Sequence, residues 1–266
     1  LESYERRTGG RALAIPHNGN LSNGRMFAAQ RFDGTPLTRD YAERRQRWEP
    51  IQEIVQSKGA SESHPKLSPN DEFLAFGIAG WELGNLTLSG PPLTREMMPT
   101  SFVRAGFMRG LEHEAKLGVN PFKSGIIGSF DAHNSLPFVD EDNFFGKFPG
   151  QEPSPDRWKQ KSSLGEGEGD ARLTWQYLAA GYAAVWATDN TREAVFDAMQ
   201  RRETYGTSGT RMTVRFFGGY DFTPDDAQSR YLAEAGYSRG VPMGGELEYV
   251  DSNALTVGTI GTTIGL

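Results

Sequence analysis

The chain has 266 residues and 29.4 kDa, enough for one large domain or a domain with an appendage. Its aromatic content of 11% excludes wholesale disorder, and its 32 glycines, which follow no three-residue period, exclude a collagen-like rod. A net charge of −6 argues against a broad nucleic-acid surface, and no apolar run reaches membrane-spanning length.

The chain has no cysteine, so disulfides and thiolate metal sites are impossible and any metal must use His, Asp, Glu and water. The start, Leu1-Glu2-Ser3-Tyr4, carries neither an initiator methionine nor the apolar core of a signal peptide. It reads as a piece of a longer protein, whose missing N-terminal part is a candidate second chain. Compartment stays open between cytoplasm and export, because both tolerate cysteine-free chains.

Short apolar runs alternate with helical patterns over the first 150 residues, which predicts βα units around a parallel sheet. Arg11-Ala12-Leu13-Ala14-Ile15 reads as a buried strand stopped by Pro16. A second strand is expected at 51–56, closed by Lys58-Gly59. A helix follows at about 101–117, with Val103, Phe107 and Leu111 at four-residue spacing and Gly118 beyond its end. Gly125-Ile126-Ile127-Gly128-Ser129-Phe130 is the third strand.

Residues 149–170 then form a break rich in Pro, Gly and Glu, expected to be an acidic surface loop. Calcium binding there is the weaker reading, since the run lacks EF-hand ligand spacing. After it, 182–187 reads as a strand and Asn190 as the cap of a helix, with Glu193 three residues on. Val195, Ala198, Met199 and Arg202 line one side of that helix, which is expected to pack back as one more βα unit. Strand-like runs at 212–217 and 255–257 suggest a small C-terminal β appendage, which divides the chain into 1–210 and 211–266.

Three of the four histidines fall just beyond expected strand ends: His17, His64 and His133. Loops at the carboxyl ends of parallel strands converge on one face, so residues remote in sequence can meet there. The pairs Glu62/His64 and Asp131/His133 are two residues apart, and in extended chain such side chains point the same way. Each pair can aim a carboxylate and an imidazole at one place. Such donors suit zinc, manganese or iron, which make hydroxide near neutral pH and offset charge on a phosphoryl oxygen.

A single histidine after a strand is more often a hydrogen-bonded loop group; the case rests on several together. His113, flanked by Glu112 and Glu114 in a helix, reads as a surface or supporting residue. Asn18 and Asn20 stand beside His17 as candidate substrate contacts, and Lys58 could offset substrate charge, although a solvated salt bridge is the commoner fate of such a lysine. No Walker-type phosphate loop and no G-x-S-x-G elbow occurs.

Leu13-Ala14-Ile15-Pro16-His17-Asn18-Gly19-Asn20, Ser61-Glu62-Ser63-His64-Pro65, Leu67-Ser68-Pro69-Asn70-Asp71-Glu72-Phe73, Gly128-Ser129-Phe130-Asp131-Ala132-His133 and Thr191-Arg192-Glu193-Ala194 through Ser208-Gly209-Thr210-Arg211 resemble a bacterial family, the domain of unknown function 3604. That family is similar to the polymerase and histidinol phosphatase (PHP) superfamily of metal-dependent phosphoesterases. The resemblance spans roughly residues 5–245.

It implies an α/β fold, a distorted (β/α)7 barrel with two or three divalent ions (Zn, Mn or Fe) at the strand ends. On that basis the metal ligands are His17, Glu62, His64, Asp131 and His133, with Asp131, His133 and His64 catalytic. Glu53 would support the ligands, beside the substrate contacts read above from position and charge at Asn18, Asn20 and Lys58. The superfamily's opening H-x-H motif is not present in this chain, and 255–266 departs from the family's usual ending, so the barrel is expected to be incomplete at its N-terminus.

The expected activity is hydrolysis of a phosphorylated small molecule, with neither nucleic acid nor membrane as partner. The alternatives are another ester or amide on the same metals, or a non-catalytic ligand- or carbohydrate-binding remnant. Exposure of Trp81, Trp158 or Trp175 would favour that last reading.

Overall fold

A computed structural model describes residues 1–76, 93–135, 147–149, 154–161, 173–177 and 181–248, and the backbone of a strand at 258–264. Near the N-terminus lie helices α1 (Glu2–Thr8) and α2 (Arg39–Trp48). Thr38 starts α2 by accepting the Tyr41 amide at 3.3 Å, and the pairs Arg39–Glu43 and Arg45–Glu49 run along its surface one turn apart.

The strand expected at 51–56 is β1 (Ile51–Gln56). It turns back through Ser57 and Lys58 into the short antiparallel β2 (Gly59–Ala60). Helix α3 (Val103–Leu117) ends where Gly118 takes a φ of +73°, the left-handed turn that glycine adopts without strain. The chain then enters β3 (Gly125–Gly128), which pairs parallel to β1 from Ile51 opposite Gly125 to Val55 opposite Gly128. A register slip between Glu53 and Val55 bends the pairing near its carboxyl end.

Helix α3 buries Val103 against Phe27, Leu37 and Phe122, with Ile54 and Ile126 packed against the same cluster. The rings of Phe27 and Phe122 meet edge to face at 5.3 Å. This cluster anchors the face of the β1–β3 pair that carries Ile54 and Ile126.

Further on, β4 (Ala183–Val185) and β5 (Thr204–Gly206) form an antiparallel pair with α4 (Arg192–Gln200) between them. β5 lies against β3, where Thr204 donates its hydroxyl to the Ile126 carbonyl at 3.0 Å. The seam is too tight for side chains. A Cβ on Gly206 would sit 2.3 Å from the Gly128 amide, and one on Gly181 would sit 1.5 Å from the Thr207 carbonyl. The last unit joins β6 (Thr213–Gly219), α5 (Leu232–Arg239), β7 (Val241–Pro242) and β8 (Gly258–Ile264). Its sheet has the antiparallel order β7-β6-β8, and Phe217, Phe222 and Leu232 form its core.

Several local expectations are corrected. Residues 11–15 form no strand: the segment makes only isolated main-chain bonds, Ala14 amide to Trp48 carbonyl and Glu53 amide to Pro16 carbonyl, and Pro16 has no N–H to extend the ladder. The α4 cap is Thr191, one residue later than Asn190, with its hydroxyl accepting the Ala194 amide at 3.2 Å. β4 pairs antiparallel, so 182–206 is not a parallel βα repeat. The acidic run 165–170, Trp81 and residues 255–257 lie outside the described residues. Among the described residues the strands make three small sheets, and no helix is long and apolar enough to cross a membrane.

Candidate functional site

The carboxyl ends of β1 and β3 carry a continuous polar network. Glu53, only 5% exposed in the middle of β1, accepts the Ser129 hydroxyl at 2.5 Å and both oxygens face the Gln56 side-chain amide at 3.2 and 3.3 Å. The Asn18 amide reaches the same carboxylate at 3.5 Å, and the Asn18 side-chain oxygen accepts Gln56 Nε2 at 3.1 Å. Asn18 holds a left-handed φ of +63° to make this turn, a conformation asparagine tolerates better than most residues. The loop carrying His17 is therefore pinned to β1 through its neighbour.

Beyond β3 the chain turns sharply at Asp131, whose φ is +47°. His133 Nε2 lies 2.9 Å from Asp131 Oδ1, and Lys147 donates to Asp131 Oδ2 at 2.5 Å. Lys147 also reaches the Asp131 carbonyl at 2.7 Å, Gln56 Oε1 at 3.3 Å and Ser57 Oγ at 3.4 Å. One buried ammonium thus joins the Asp131/His133 pair to the end of β1. Burial pushes the Asp131 carboxyl up, but its bond to Lys147 and the charges of Lys147 and His133 outweigh this, so it lies below the usual carboxylate range. Burial lowers Lys147, against the opposing pull of Asp131 and Glu53.

Lys58 is a second buried lysine, 1% exposed at the tip of the β1–β2 turn. Its amine donates to Ser61 Oγ at 2.6 Å and to Asn20 Oδ1. Burial pushes it down to about 8, with Glu53 opposing the shift and Lys147 adding to it. Asn20 is itself 2% exposed. The sequence places Lys58 and Asn20 at the substrate; in the structure they bind each other inside the protein, and Lys58 is not a solvated surface charge.

The remaining candidates are dispersed. His17 is exposed, with Nδ1 3.5 Å from the carbonyl of Ile15. Glu62 is held by Arg104, whose Nε and Nη2 both donate to Oε1 at 2.8 and 2.5 Å. His64 is buried beside Phe102, and its Nδ1 accepts the Lys66 amide at 3.0 Å, which places a neutral ring's proton on Nε2. His113 sits half-buried in α3, edge-on to Phe122 at 5.8 Å.

Asp131 and His133 are thus brought together, close to Glu53. Among the described residues no three His, Asp or Glu converge as a metal site. Sequence reasoning missed Gln56, Ser129 and Lys147. The available signal was the run Gln52-Glu53 and Gln56 within a strand whose neighbours are buried, since buried polar groups need partners.

The chain mixes helices with small sheets, and its polar cluster lies at the carboxyl end of the parallel β1–β3 pair, a position where ligands commonly bind. Residues 1–259 match the family model for proteins of unknown function DUF3604, and the chain belongs to that family. No curated protein and no solved structure gives a significant match to it.

Proposed function

We propose that the chain is part of a metal-dependent hydrolase of phosphate esters, with its strands belonging to a PHP-like barrel. The Asp131–His133 pair carries this reading: a carboxylate kept ionised by Lys147, 2.9 Å from an imidazole, at a strand's carboxyl end. In kind these donors fit zinc, manganese or iron. Asp131 and His133 would supply two of its ligands; His17, on a loop fastened to Glu53 through Asn18, is the candidate for a third that the variants below test. The engagement of Glu62 by Arg104 and of His64 Nδ1 by Lys66 leaves those two less suited to the role.

When bound, the ion supplies Lewis acidity, which activates water near neutral pH and offsets charge on a phosphoryl oxygen. The protein's own residues set the geometry. Glu53 fixes Ser129 and Gln56, Gln56 positions Asn18 and so the His17 loop, and Lys147 holds Asp131 in its strained turn. With Lys147 on one oxygen, Asp131 keeps the other directed at His133.

Elemental analysis of purified protein is expected to find one of these metals, reduced in His17→Ala, Asp131→Ala and His133→Ala. A panel of phosphomonoesters and phosphodiesters with added manganese should show turnover that falls by on the order of 100-fold or more in the same variants. Metal-free, inert protein would overturn the reading.

One observation favours a second function, ligand binding without chemistry. Trp158 and Trp175 are each 59% exposed, on neighbouring turns joined by the Lys161–Leu173 bridge. Exposed indoles on paired turns are unusual in a solvated loop and suit a ligand with apolar faces. Inert protein that still binds such a ligand would establish it.

A further inference from the structure

A cavity of about 270 Å³ opens between the ends of β1 and β5 and the start of α3, bounded by Val55, Leu74 and the 206–209 loop. It holds an ion triad. Arg104 donates from Nε and Nη2 to Glu62 Oε1 and from Nη1 to Asp71 Oδ2 at 2.7 Å. The first turn of α3 fixes this arrangement, because the Val103 and Arg104 amides donate to the Ser61 and Glu62 carbonyls. Asp71 Oδ1 is taken by the Phe73 amide at 3.1 Å.

What remains open is chemically mixed. Glu62 Oε2 has no hydrogen-bond donor among the described residues, and the Ser208 hydroxyl likewise makes no bond there. A guanidinium has five N–H groups, and three are used here, so donors remain as well. Two carboxylates against one guanidinium leave a net negative triad, which repels an anion. An ammonium ligand would satisfy the carboxylate but present no acceptor to the spare guanidinium N–H groups. A hydroxyl both donates and accepts, and a ring bearing several can serve both sides at once. At the lip, Phe73 and Phe76 are 78% and 69% exposed and offer apolar faces to the C–H side of such a ring.

We propose that this cavity is a binding site for a neutral polyhydroxylated ring, a pyranose sugar or a cyclitol, gripped by Glu62 and Arg104 and stacked on Phe73. The inference goes beyond the hydrolase reading and does not depend on it, since binding needs neither metal nor turnover.

The test is calorimetry and saturation-transfer NMR on EDTA-treated protein. The probes are methyl glucopyranosides, methyl galactopyranosides and myo-inositol, with benzyltrimethylammonium and inorganic phosphate as competitors for the assignment. At least one sugar or cyclitol should saturate, and Glu62→Gln should weaken it roughly tenfold, the scale of one hydrogen bond to a charged group. Phe73→Ala, a change at an exposed site that leaves the core intact, should weaken it as well. Failure of every sugar and cyclitol, binding indifferent to both substitutions, or saturation by the ammonium or phosphate alone would overturn the proposal. None of those outcomes bears on metal content or phosphoesterase activity, so the two readings fail separately.

Discussion

Lys58 and Lys147 are both almost wholly buried, and they lie close enough for each charge to act on the other. Their partners differ. Lys58 has two acceptors, both neutral, Asn20 Oδ1 and Ser61 Oγ, which matches the two hydrogens of an uncharged amine. Lys147 has four oxygen acceptors, one of them a carboxylate at 2.5 Å, which matches an ammonium. A buried lysine keeps its proton where a carboxylate stands beside it and yields it more readily where only dipoles do. The two sites hold their surroundings in place by different means, a fixed ion pair at Lys147 and a readily neutralised amine at Lys58.

Removing the counter-charge breaks the comparison most sharply. Asp131→Asn leaves Lys147 buried with no carboxylate bonded to it, only the longer-range charge of Glu53, and is expected to destabilise the protein by about 3 kcal/mol, read from urea unfolding. Combining it with Lys147→Met should recover at least half of that loss; equal loss in single and double variants would deny the coupling.

The next effect is a pH dependence. The folded Lys58 amine releases its proton near 8 and the unfolded one near 10.5, so between these values the unfolded chain binds more protons. Stability is therefore expected to rise with pH across that window, by roughly 3 kcal/mol, and to lack this gain below pH 8. Lys58→Met should flatten the rise.

Smallest is the cost of Lys58→Met at pH 7, expected to be about 1 kcal/mol, because Ser61 and Asn20 stay bonded to each other at 3.0 Å. A cost as large as that of Asp131→Asn would mean that Asn20 and Ser61 hold the amine far more strongly than two neutral acceptors should.

Much of the scaffold around this network was legible in advance. The run Ile51–Gln56 is bounded by Pro50 and the Lys58-Gly59 turn, and α3 carries both apolar spacing and a terminal glycine. Helix α2 was not legible because its sequence RDYAERRQRW has almost no apolar stripe and is held by surface ion pairs and one threonine cap. The strand at 11–15 was over-read from composition alone, where tertiary pairing decides.

Of the site, the Asp131–His133 pairing followed from a two-residue spacing, a local geometric rule. Whether Glu62 and His64 join it depends on α3 and Lys66, contacts that no spacing encodes. Lysine is almost never buried without a partner, so the expectation for Lys58 defaulted to the surface. Lys147 comes from a segment far along the chain, and nothing adjacent to it marks its destination.

The Ser57–Lys58 turn joins β1 to β2 and points inward, with both residues 1% exposed. Hairpin tips are ordinarily where a protein accepts inserted tags, changes of loop length and protease nicks. This one is spoken for on every side. Lengthening it by even one amino acid would swing the amine off its acceptors, so tolerance to insertion should be found at solvent-facing bends such as Asp33-Gly34 instead.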